Sequence, residues 1–139
     1  MTLTKLKTIL EKANPCYQVE YEEARMMNLK ADNYKRGDSF VYIEEFVQGR
    51  YTQEQYRRRK ITRVQIYFCK FSPLHADAIQ REKLRSRIEQ EIVLPFIDGF
   101  NLSKLFPEVE NFQFYNSLPR FDANEVSIML QFECKTDIC

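Results

Sequence analysis

Residues 61–71, ITRVQIYFCKF, constrain this chain more than any other stretch. Val64, Ile66 and Phe68 fall on one side of an extended backbone, and Arg63, Gln65, Tyr67 and Cys69 fall on the other. Successive side chains of a strand point to opposite faces, so the stretch reads as a strand. Residues 76–94 then read as the longest helix, with Leu84, Ile88 and Ile92 as its buried stripe. A strand that feeds a long helix, with more strands on either side, is the frame of an α+β domain.

The rest of the chain fits that frame. Leu3, Leu6, Leu10 and Ala13 recur at helical spacing and predict an amphipathic helix over 2–13, capped by Thr2 and stopped by Asn14-Pro15. Residues 16–22 alternate, with Tyr17, Val19 and Tyr21 against Gln18, Glu20 and Glu22, as in a half-buried strand. Residues 31–39 are a polar loop, and 40–48 are a second strand with apolar residues on both faces. The connection 49–60, GRYTQEQYRRRK, is long for a compact domain; it is a functional loop or a pair of strand extensions that project as a β-arm. Asp77 and Gln80 fit a capping box, with Ser72 ahead of Pro73 as an alternative start.

Arg85–Glu89 and Arg87–Glu91 are i,i+4 pairs on that helix, and Arg81 snorkels beside its apolar stripe. Pro95 is expected to end or kink it, Asp98-Gly99 to turn the chain, and residues 102–106 to form a helical turn. Strands over 112–115 and 126–134, joined as a hairpin through 117–125, close the domain. The predicted order is α-β-β-β-α-β-β. It gives a mostly antiparallel or mixed sheet of about five strands, with an N-terminal helix and one long helix packed on one face. Ile66, Phe68, Leu84, Ile88, Leu130 and Phe132 are the expected core, where Leu84→Ala or Ile88→Ala should cost about 2–5 kcal/mol.

Composition narrows the function. With 139 residues, 44% of them hydrophobic, the chain suits a single domain with a real core. Its 3 glycines leave no glycine-rich phosphate loop. A balance of 21 basic against 20 acidic residues argues against a dedicated nucleic-acid binder. The 4 cysteines form no C-x-x-C pair, and with 1 histidine they offer no ordinary zinc set; Cys69 and Cys134 read as buried thiols. No apolar run approaches the roughly 20 residues of a membrane helix, and the N-terminus has no signal-peptide core. The expectation is a soluble intracellular protein in a reducing compartment, with no cofactor and no metal.

The sharpest charge cluster is Arg57, Arg58, Arg59, Lys60 and Arg63, with Tyr51 and Tyr56 nearby to stack. Such a loop contacts phosphates, or it meets solvent or the acidic surface of a partner protein, and the balanced global charge favours the latter two. His75 is the lone candidate base and reads as an exposed or helix-N-terminal side chain. Glu44 and Glu45 are adjacent, so on a strand they face apart and cannot work as a carboxylate pair. No HExxH, GxSxG or P-loop occurs, and no enzyme activity is expected.

An N-terminal helix ending at Asn14-Pro15 leads into an aromatic strand (16–21), a strand with a Tyr42-Ile43 core and the QIYF strand. A charged helix (80–92) and a closing hairpin follow. This layout resembles the phage tail-terminator and tail-completion (neck) proteins encoded by phages and prophages. The resemblance implies a non-enzymatic subunit that forms a homo-oligomeric ring at the end of the tail tube and joins it to the head. Its partners would be other tail or neck proteins, with passing contact to DNA, in the host cytoplasm and the virion. The residues themselves leave open a small ligand-binding domain with a pocket lined by Phe46, Phe68, Phe114 and Phe132.

Overall fold

The computed structural model describes residues 3–21, 39–44, 48–71, 77–103, 112–117 and 125–138. The elements run α1 (Leu3–Ala13), β1 (Gln18–Tyr21), β2 (Ser39–Ile43), β3 (Gly49–Glu54), β4 (Arg57–Phe71), α2 (Ala78–Ile88), a π-helical segment (Glu89–Val93), α3 (Leu94–Ser103), β5 (Gln113–Ser117) and β6 (Glu125–Ile138). Six strands form one mixed sheet in the order β1-β2-β4-β6-β5, with β3 also paired to β4. The β1–β2 pair is parallel and every other pair is antiparallel. The fold is α+β, as the hydrophobic pattern predicts.

The predicted organising strand lies at the centre of this sheet and is longer than its apolar core. β2 and β3 share one edge of β4, and β6 lines the other edge along nearly its whole length. Between them, Glu44 N–H donates to Gln65 C=O and Arg63 N–H donates to Gln48 C=O, so both flanks of 45–47 are tied to β4.

The helices cover one face. Val64, Ile66 and Phe68 of β4, with Ile128, Leu130 and Phe132 of β6, pack there against Ile88, Ile92, Phe96 and Phe100. Phe96 meets Phe68 at 6.0 Å between ring centres, and Phe100 meets Phe132 edge-on at 5.3 Å. Leu6 and Leu10 bring α1 onto the same core. The opposite face is buried at its centre as well: Phe40, Tyr42, Tyr67 and Cys69 lie there, with the Tyr42 and Tyr67 rings stacked at 5.8 Å. That second layer explains why residues 40–43, FVYI, are apolar on both faces.

Two expectations are corrected and one open alternative is decided. Pro95 does not end the helix; the chain continues helically to Ser103. Proline lacks an N–H and its ring crowds the carbonyl four residues back, here that of Glu91. The widened π-helical turn relieves the crowding, and Asn14 Nδ2 donates to the Glu91 carbonyl at 3.0 Å. Asp98-Gly99 is therefore helical, because the burial of Phe96 and Phe100 outweighs the roughly 1 kcal/mol penalty of a helical glycine. Residues 49–60 are no loop: they are β3, a two-residue turn and the start of β4, which is the β-arm alternative.

The Asp77–Gln80 capping box is present, and Arg87 reaches Glu91 at 3.6 Å. Cys69 and Cys134 are buried. The Thr2 cap, the 31–38 loop, Glu45, Phe46, Ser72, His75, the 104–106 turn and the 118–124 connection lie outside the described residues.

Of the expected core, Ile66, Phe68, Ile88, Leu130 and Phe132 are buried, whereas Leu84 is half-buried at the margin. Ile88→Ala is accordingly expected to cost about 2–5 kcal/mol in urea unfolding, and Leu84→Ala clearly less.

Candidate functional site

Strand alternation sorts the predicted cluster onto two faces of the arm. β3 turns into β4 through Gln55-Tyr56, and the end of β6 runs alongside as far as the Arg58↔Ile138 pair. The arm is thus three strands wide. Arg57, Arg59 and Arg63 share one face with Arg50 of β3 and with Glu133 and Asp137 of β6. Arg57 grips Asp137 with two bonds of 3.0 and 3.1 Å, and Arg59 meets the same carboxylate at 3.3 Å. Arg50 grips Glu133 at 2.8 and 3.1 Å, and Arg63 donates to Gln48 Oε1 at 3.1 Å. Hydrogen bonds from Arg57 and Arg50 hold the Asp137 and Glu133 carboxyls below their ordinary range.

The other face carries Tyr51, Arg58 and Lys60. Neither Arg58 nor Lys60 is ion-paired among the described residues. Tyr51 is 71% exposed, and Tyr56 stands fully exposed at the tip. The structure therefore brings all seven predicted residues onto one arm and divides their five cations: Arg57, Arg59 and Arg63 are engaged on one face, and Arg58 and Lys60 lie on the other. Residues Arg50, Glu133 and Asp137 escaped the sequence reading. Their signal was present, since the alternation of 126–134 continues through Lys135, Thr136 and Asp137 once polar residues are allowed on an arm.

Gly49 fixes where the arm begins. A Cβ at that position would lie 2.5 Å from the Ile61 carbonyl oxygen, so only glycine admits this approach of β3 to β4. At the tip, Gln55 adopts φ 51°, a left-handed conformation that costs a non-glycine residue about 1–2 kcal/mol.

A second polar cluster sits under the π-helical turn. Tyr17 OH and Lys70 Nζ both donate to Glu91 Oε2, at 2.9 and 3.0 Å. Burial pushes the Tyr17 hydroxyl well above the ordinary phenol range, and its bond to Glu91 adds to this. Burial also works to raise the Glu91 carboxyl, but the bonds from Lys70 and Tyr17 outweigh it and leave the group below its usual value. Two chain donors thus converge on one oxygen of this carboxylate, which fastens the helix to β4 and to the segment after α1. Burial pushes the Cys134 thiol up to about 12, which makes it a poor nucleophile.

Of the aromatic pocket residues, Phe68 and Phe132 pack into the core while Phe114 is 67% exposed on β5. Phe46 lies outside the described residues. Among the described residues, no three His, Cys, Asp or Glu side chains are grouped to hold a metal ion, and no helix is long and apolar enough to cross a membrane. No family model and no curated protein matches this chain.

Two outcomes follow from these clusters. Glu91→Gln should lower stability at pH 7 by about 1–3 kcal/mol, because it strips the counter-ion from a buried ammonium. A carboxyl with a depressed folded pKa stabilises above its unfolded pKa and loses that contribution as pH falls. Urea curves of parent and variant should therefore converge below about pH 4. Gly49→Ala should force β3 off β4, which hydrogen exchange would register as lost protection of the Thr52 and Arg59 amides, which bond each other across the two strands, relative to those of Ile66 and Phe68.

Proposed function

We propose that this chain is a non-enzymatic structural subunit of a phage or prophage tail or neck. In this reading it assembles into a ring that terminates or completes the tail tube and joins it to the head. The observation that supports the reading is the arm. It is a continuation of the central strands of the sheet, it carries exposed Tyr51 and Tyr56, and its charged face is braced by internal ion pairs. A braced projection of this kind suits contact with a neighbouring subunit, and aromatic side chains are favoured anchors in protein interfaces. Copies joined head to tail by an arm close into a ring when the rotation per subunit divides a full turn. Arg58 and Lys60, which lack carboxylate partners within the described arm, would then meet acidic groups of other tail or neck proteins or the passing DNA.

The test is solution mass by light scattering with negative-stain imaging, over a range of concentration and salt. Closed rings of several subunits are expected from the parent chain. A chain with residues 51–58 replaced by a short turn should keep its helical and strand circular dichroism yet lose the rings. A parent chain that stays monomeric at every concentration, both alone and with tail tubes added, overturns the reading.

A further inference from the structure

The outer edge of β3 pairs with no strand among the described residues, and its sequence is complementary to itself. We infer that two copies of this chain join through this edge, in an antiparallel β3–β3 pair whose two-fold axis passes through Thr52. The contact goes beyond the ring interface proposed above and does not depend on it.

The ladder shows which backbone groups are open. Arg63 N–H donates to Gln48 C=O, which makes 48↔63 a hydrogen-bonded pair. In an antiparallel ladder such pairs alternate, so Arg50, Thr52 and Glu54 turn their backbone groups toward β4. Gly49, Tyr51 and Gln53 turn theirs outward, along an edge available for strand addition.

The side chains select the register. Read in opposite directions about Thr52, the segment Arg-Tyr-Thr-Gln-Glu sets Arg50 opposite Glu54 of the second copy, twice over by symmetry. Tyr51 falls opposite Gln53 of the second copy, and both present outward backbone groups, so each such pair exchanges two hydrogen bonds. Moving the axis by one residue either way loses both charge matches. Glu54 makes no ion pair among the described residues, while Arg50 is already held extended by Glu133 on the face that Glu54 shares. The edge is thus prearranged for opposite charges, where like charges would repel an identical strand.

One six-residue edge buries far less than the roughly 800 Å² per partner of a standard interface, so the contact is reversible and concentration-dependent. Cross-linking reads it directly. Thr52 would face its own copy across the axis as a non-hydrogen-bonded pair, with Cα atoms about 4.5 Å apart, inside the range a disulfide spans. In a Cys16→Ser, Cys139→Ser background, Thr52→Cys should oxidise to a covalent dimer at least about tenfold faster than Gln53→Cys, through the raised effective concentration across the axis. Adding Glu54→Arg should return the Thr52→Cys rate to the control level. Equal rates at positions 52 and 53, a faster rate at 53, or indifference to Glu54→Arg each overturns the inference. The disulfide links chains in twos only, so it is read independently of ring formation.

Discussion

Fourteen consecutive residue pairs join β4 to β6, from Phe71↔Glu125 at one end to Arg58↔Ile138 at the other. Everything else is placed by this ladder. At one end it carries Val64, Ile66 and Phe68 beside Phe132, Leu130 and Ile128, and their shared face receives the helices. At the other end the same alternation carries Arg57 and Arg59 beside Asp137. A slip of one residue would turn β6 over relative to β4, setting its apolar residues on the face opposite Val64, Ile66 and Phe68. The apolar end therefore sets the register, and the ion pairs of the arm follow from it.

The polar tie between the helical layer and that sheet runs through one residue, Glu91. Proline at position 95 removes the donor that the Glu91 carbonyl would otherwise meet, and the π-helical turn and Asn14 take up the difference. The side chain of the same residue binds Tyr17 and Lys70. Glu91 thus links the segment after α1, the long helix and β4 at a point where the helix is locally unwound. An interior proline that reads as a stop signal is tolerated because the segment after α1 and β4 both converge on the turn it disturbs.

The sequence made the body legible and the arm only partly so. Strict alternation marked β4 and β6 at their apolar ends, and heptad-like spacing marked the helices, because burial writes a periodic pattern. The arm is exposed on both faces, so its residues carry no hydrophobic period. Its hairpin turn is Gln55-Tyr56, without the glycine or asparagine that ordinarily announces such a turn, although Gln55 takes the left-handed conformation regardless. The cation cluster was visible as composition, but its division between two faces needed the register. Glu133 and Asp137, more than 70 residues away in sequence from Arg57 and Arg50, were recognisable as partners only once β6 was known to run the length of β4.

The continuity of β4 has a mechanical meaning. The arm is hung from no hinge; its central strand passes unbroken into the middle of the sheet. A pull on the tip along the strand axis is opposed by the whole β4–β6 ladder in shear, with all its hydrogen bonds strained together. A pull across the strands would instead part them one pair at a time from the edge. The molecule is stiff in one direction and yielding in the other, and the stiff direction is the one along which the arm points.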